Sequence, residues 1–285
     1  MFSYRHGFHA GNHADVLKHT VLTQIINYYN QKDVPYWFID LHAGAGLYDL
    51  GGQWAQKRTE FAEGIGKIWG AKACPIAVRE YLDVIEALNP DGELKIYPGS
   101  PWIALDTCRE QDKLRFFEMH PTEAEILLLN MEQRGGRTLK QATLYADDGF
   151  AGLKAHLPPP SRRAIVLIDP SYEDKKDYRR VVDTVRDAMQ RFPTGCYAVW
   201  YPQIQRREAQ ELPRQLEKLG AKSWLHASLT VHKTAADGLG LHGSGMFIVN
   251  PPWTLAAALK ETLPFLEKAL SQDDRSAWKL DYLAD

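Results

Sequence analysis

Apolar residues recur at helical spacing between residues 14 and 31, with Val16, Leu17, Val21, Leu22, Ile25, Ile26 and Tyr29 on one face. Val34-Pro35 ends that pattern, because a proline pushes the residue before it out of helical geometry. Tyr36–Asp40 then reads as a buried strand that runs into His42-Ala43-Gly44-Ala45-Gly46. Residues 50–110 differ in character. Helical patterns over Phe61–Trp69 and Val78–Leu88 are followed by an Asn89-Pro90-Asp91-Gly92 turn and a Pro98-Gly99-Ser100-Pro101 loop. This stretch is predicted to be a mostly helical insertion in a single domain spanning 1–285. The strand rhythm resumes at Lys113–Glu118, Ala142–Ala146, Ala164–Ile168, Tyr197–Tyr201, Ser223–Val231 and Met246–Val249, with helical patterns between. Residues 270–285 read as a polar, loosely ordered tail. About seven strands alternating with helices predict an α/β fold, a doubly wound and mainly parallel sheet covered on both faces. Ligands of such sheets bind beyond the carboxyl ends of the strands.

The residues at those ends form a pattern. Asp40 and the Gly44/Gly46 turn end one strand, Glu118 the next, Asp148-Gly149 another, and Asp169-Pro170-Ser171-Tyr172 follows Ala164–Ile168. Glycines let the backbone turn tightly against a ligand. Glu118 is suited to accept from two ribose hydroxyls and Asp148 from an adenine amine, with Gly149 leaving room for the ring. An exocyclic adenine amine is a poor nucleophile because its lone pair is delocalised into the ring. A catalyst must accept hydrogen bonds from both its hydrogens, which the Asp169 carboxylate and the Pro170 carbonyl can do. Tyr172 is expected to stack on the base. A second Pro-Pro-aromatic segment, Asn250-Pro251-Pro252-Trp253, follows a strand expected to run antiparallel, so it should lie at the opposite edge as a structural turn.

Composition narrows the setting. The 285-residue chain is 45% hydrophobic and 25% charged, enough for a sizeable core. Its three cysteines, Cys74, Cys108 and Cys196, form no CxxC pair, which argues against a disulfide framework and fits a reducing cytoplasm. The N-terminus lacks the apolar segment of a signal peptide, and no apolar run is long enough for a bilayer. With a net charge of −2, a nucleic-acid site must be a local patch. Arg5, His6, His9, His13, Lys18, His19, Arg206 and Arg207 are the candidates. The N-terminal histidines lack the companions and spacing of a zinc set, so no metal is expected.

Six segments together resemble a known family: SYRHGFHAGNHADVLKH (3–19), DLHAGAGLYDL (40–50), YPGSP (97–101), ADDGF (146–150), LIDPSY (167–172) and SGMFIVNPPW (244–253). The chain is similar to the bacterial 23S ribosomal RNA adenine-N6 methyltransferase J family, formerly described as proteins for catabolism or uptake of external DNA. The resemblance implies a class I methyltransferase with a small helical insertion, S-adenosylmethionine as cofactor, and one adenine of protein-free 23S rRNA as target. It implies cofactor contacts at His19, His42, Ser100, Glu118, Asp148, Gly149 and Asp169, with Lys18 beside them. Asp169 becomes the catalytic acid and Tyr4 an RNA contact. A monomer without obligate protein or membrane partners is expected. The family motif usually reads Asp-Pro-Pro-Tyr, and Ser171 replaces its second proline. Retained chemistry is expected, because the acid, the preceding carbonyl and the tyrosine remain. Two other readings stay open: a DNA adenine-N6 methyltransferase or an enzyme acting on imported DNA, and a non-catalytic RNA-binding protein that has kept a cofactor pocket.

Overall fold

The computed structural model describes residues 9–51, 60–235 and 240–284. Tyr4, Arg5 and His6 lie outside them. Helix α1 (His13–Asn30) is capped by Asn12, whose side-chain oxygen accepts from the Ala14 and Asp15 amides at 3.0 Å each. From His13 to Thr23 it is buried on every side, polar residues included. The chain continues through β1 (Trp37–Asp40), β2 (Leu47–Asp49), α2 (Ile65–Ile68), α3 (Ile76–Leu88), β3 (Ile96–Pro98), α4 (Ser100–Thr107) and β4 (Lys113–Phe117). Next come α5 (Pro121–Arg134), α6 (Gly136–Gln141), β5 (Ala142–Tyr145), α7 (Gly149–Gly152), β6 (Ala164–Ile168) and α8 (Lys176–Arg191). The last elements are β7 (Cys196–Gln203), α9 (Arg207–Glu217), β8 (Trp224–Thr230), β9 (Gly243–Val249), α10 (Leu255–Leu270) and β10 (Ala277–Leu283).

The main sheet has the order β5-β4-β1-β6-β7-β9-β8-β10. The first five strands are mutually parallel, while β9 runs antiparallel to both β7 and β8. Side chains alternate across it. Phe38, Leu114, Ile165 and Ala198 face a core shared with α1, α3, α4 and α10. Ile39, Val166, Ile168 and Val199 face one shared with α8 and α9. Two helical layers therefore cover one sheet, and the parallel strands end together on one edge.

Two details depart from the sequence reading. The tail expected to be loosely ordered contributes an eighth strand, β10, paired antiparallel with β8. The alternation Trp278, Leu280, Tyr282 against Lys279, Asp281 signals a strand, but none of these residues is fully buried, so the apolar contrast is shallow. Within the stretch read as a helical insertion, β2 and β3 form a small antiparallel ladder. α4 packs against β1 and β4, the position of a crossover helix in the sheet layer. The Asn250 turn sits at the edge of the sheet opposite the other strand ends. Its side-chain amide donates to the Pro193 and Gly195 carbonyls, just before β7 begins.

Candidate active site

A cavity of about 390 Å³ opens at the carboxyl ends of β1, β4 and β6. Lys18, His19, His42, Gly44, Ser100, Glu118, Asp148, Gly149, Asp169 and Pro170 all line it, although they come from six separate stretches of chain. Gly44 and Gly46 adopt φ of +64° and +80°, a left-handed geometry that favours glycine. This turn brings the Gly44 amide within 2.7 Å of Glu118 Oε2, while Glu118 Oε1 accepts from the His120 amide at 2.7 Å. Burial raises the Glu118 pKa even though both amides favour its charged form. Asp148 caps α7, accepting from the Phe150 amide, and its other oxygen pairs with Arg180. The Arg180 guanidinium lies 4.3 Å from the centre of the Phe150 ring.

The most polar part of the site is buried. Lys18 Nζ lies 2.5 Å from Asp169 Oδ2 and 2.9 Å from Asp15 Oδ1. Burial alone would favour the neutral amine, but the two carboxylates outweigh it and raise the Lys18 pKa above its usual range. The Asp169 backbone amide donates to His42 Nδ1 at 3.3 Å. Burial, helped by the charge of Arg180, lowers the His42 pKa to about 3, so the ring stays neutral and Nδ1 remains an acceptor. Asp169 is thus oriented through its carboxylate by α1 and through its backbone by the turn after β1. His19 Nδ1 meets the Tyr97 hydroxyl at 2.8 Å, which in turn meets the Tyr81 hydroxyl at 2.8 Å.

Three expectations are revised. Tyr172 does not present its ring to a base. It is 2% exposed, packed against Tyr178 and Trp200, and its hydroxyl donates to the Trp200 carbonyl at 2.6 Å. Its backbone is left-handed, with φ of +54°, an uncommon geometry for a residue other than glycine. Arg206 holds that geometry by donating to the Tyr172 carbonyl at 2.8 Å. Gly149 leaves room for protein backbone rather than for a ligand ring, since a Cβ there would sit 2.2 Å from the Leu41 carbonyl oxygen. Of the N-terminal basic residues that the structure describes, His9 is partly exposed while His13, Lys18 and His19 are buried with α1, and burial lowers the His13 pKa to about 4. Sequence reading also missed Asp15 and Arg180. Asp15 was legible as an acid three residues before Lys18 on an otherwise apolar helix. Arg180 carries no local signal. Among the described residues no cluster of His, Cys, Asp or Glu is arranged to hold a metal ion, and no helix is long and apolar enough to cross a membrane.

The family model described as "Ribosomal RNA large subunit methyltransferase D, RlmJ" matches residues 33–284. The chain belongs to that family. It is 43% identical over 270 residues to the Ribosomal RNA large subunit methyltransferase J of Escherichia coli (strain K12), covering 95% of this chain and 94% of that protein. It is 40% identical over 284 residues to the protein of that name from Haemophilus influenzae, covering 99% of each. A crystal structure of a Legionella pneumophila protein is 34% identical, with a TM-score of 0.88 over 97% of this chain and 99% of that one. The family's fold, a class I methyltransferase sheet, accounts for the antiparallel β9 inserted between β7 and β8, with β10 added at the edge.

Two predictions test how the site is supported. Gly149→Ala should cost about 3 kcal/mol of stability, because the new methyl meets backbone that cannot rotate away. Urea melts will check this, and a cost below about 0.5 kcal/mol would refute it. The second concerns Asp40, fully buried behind Ser100 and His42. Burial raises its pKa from 3.8 to about 7, against the opposing hydrogen bonds of Ser100 and the His42 amide. The folded protein therefore holds a proton that the unfolded chain releases above about pH 4, so this group's contribution falls as pH rises from about 4 to 7. Asp40→Asn should remove that slope, gaining stability relative to the parent between pH 5 and 8. Parallel Tm–pH curves for the two proteins would contradict it.

Proposed function

We propose that this protein transfers the methyl group of S-adenosylmethionine to the N6 amine of one adenine in protein-free 23S rRNA. The observation that carries this reading is the position of Asp169. Asp169 lines the first cavity and also an adjoining second one of about 730 Å³. A methyl donor in one and an acceptor amine in the other could thus meet beside it.

The donor set of the first cavity suits the cofactor. Glu118 keeps spare lone pairs on both oxygens for a vicinal diol, and Asp148, oriented by Arg180 and the Phe150 amide, suits an adenine amine. Lys18, His19, His42 and Ser100 make the polar end that would receive its amino-acid part. When bound, the cofactor supplies a methyl group on a positively charged sulfur, an electrophile needing no further activation. Asp169 and the Pro170 carbonyl accept from the hydrogens of the target amine and so localise its lone pair. Lys18 holds the Asp169 carboxylate in place. Ser171 is exposed, and the hydrogen bonds that anchor the loop to Lys18, His42, Trp200 and Arg206 do not involve its side chain, which supports retained chemistry despite the missing proline.

The test is incubation with cofactor carrying a labelled methyl group and either deproteinised 23S rRNA, assembled large subunits, or duplex DNA. Label is expected in N6-methyladenosine of the naked RNA alone. Equal or greater label in DNA, or none in any RNA, would overturn the proposal.

A further inference from the structure

An acid on a helix that is buried on every side has to be paired, because an uncompensated charge there is costly. Asp15 on α1 is such an acid, with a side chain 3% exposed. It lies one turn before Lys18, and both of its oxygens are engaged. Oδ1 meets Lys18 Nζ at 2.9 Å, and Oδ2 accepts from the Gly11 amide at 2.9 Å. Gly11 has a left-handed φ of +76°, and its carbonyl accepts from the Ile65 amide at 2.8 Å. The carboxylate is therefore fixed from two directions, by the turn that leads into α1 and by the ammonium.

Lys18 is thereby shared between two acids. Its ammonium also reaches Asp169 Oδ2 at 2.5 Å, from a side chain that is itself 4% exposed. An ammonium carries three donors on a flexible stem. Released from Asp15, it would turn more of them onto Asp169. A carboxylate paired one-to-one with a cation is a weaker acceptor and a weaker base. The target amine needs the opposite, an acid whose negative charge is only partly compensated.

We propose that Asp15 is a positioning residue of the methylation centre: it draws part of the Lys18 charge away from Asp169 and keeps the ammonium on Oδ2. This rests on the reading of Asp169 as the acid that engages the target amine. Asp15→Asn keeps the size of the side chain and removes its charge. It should lower kcat for methylation of deproteinised 23S rRNA by about 10- to 30-fold. KM for the RNA and affinity for S-adenosylhomocysteine should stay within about threefold, because Asp15 does not line the first cavity and is too buried to carry RNA.

The sign of its coupling to Lys18 separates this role from bracing of the Gly11 turn. Lys18→Met leaves Asp15 and Asp169 facing each other without their counter-ion. If Asp15 acts through the ammonium, adding Asp15→Asn should suppress that damage. The double variant should unfold at a higher urea concentration than Lys18→Met and have a kcat about three- to tenfold above it. A residue that only braces Gly11 predicts the reverse, a double variant less stable than either single one. The inference is overturned if the kcat of Asp15→Asn stays within threefold of the parent, if its loss lies in KM or cofactor affinity, or if the double variant is no more stable than Lys18→Met. Should Asp15→Asn fail to fold, the urea comparison of the double variant with Lys18→Met decides. A parent protein that methylates no RNA would instead remove the functional reading on which the inference stands.

Discussion

Asp169→Ala is expected to cut methyl transfer into deproteinised 23S rRNA by about a thousandfold, while cofactor affinity changes by less than about tenfold. The separation follows from geometry. Asp169 is one of many residues lining the first cavity, and the groups suited to ribose and adenine, Glu118 and Asp148, hang from other strands with their own backbone hydrogen bonds. The target amine has no such redundancy. Without the carboxylate, only the Pro170 carbonyl is left to accept from it, and the lone pair stays in the ring. The fold should survive, because Lys18 keeps Asp15 at 2.9 Å as a counter-ion. Single-turnover methylation alongside titration of S-adenosylhomocysteine separates the two effects. Label reaching RNA at an unchanged rate would show that Asp169 is not the catalytic acid.

Lys18→Met should have the largest effect on stability. Asp15 and Asp169 have side chains 3% and 12% exposed, and both meet the same ammonium. Removing it leaves two carboxylates facing each other in a buried site, and breaking such a pair costs about 3–5 kcal/mol. That is a large share of the roughly 5–15 kcal/mol that holds a domain folded. The variant also has a kinetic signature. Without the cation the pair binds a proton more tightly, so the ionised form of Asp169 is reached only at higher pH. Residual activity should therefore rise with pH over a range in which the parent is already flat. Urea melts at pH 7 and a pH–rate profile measure the two parts. A variant as stable as the parent, or with an unshifted profile, would mean that Lys18 does not govern the carboxylate.

The N-terminal helix illustrates why part of this site was legible early and part was not. Its apolar spacing and the Val34-Pro35 break place the element over 14–31, within one residue of the observed His13–Asn30. The same spacing cannot tell that the helix is buried on every side, because that depends on α3, α4 and α10 packing around it. Lys18 and His19 could therefore be read from the chain as cofactor neighbours or as a surface charge patch. Only packing makes Lys18 the buried partner of an acid 151 positions away.

Asp169-Pro170-Ser171-Tyr172 divides in the same way. Strand period, turn residues and the parallel-sheet rule need only local chemistry, and they suffice to put Asp40, Glu118, Asp148 and Asp169 on one edge and Asn250 on the other. Side-chain direction beyond a strand end is not local. It depends on one backbone torsion at Tyr172, stabilised by Arg206 and the Trp200 carbonyl from elements far along the chain. That torsion packs the tyrosine ring against Tyr178 and Trp200 in the core. The chain alone therefore specified which residues stand at the strand ends. The tertiary fold decided that the Tyr172 ring is packed away in the core, because a left-handed residue persists only where distant hydrogen bonds hold it.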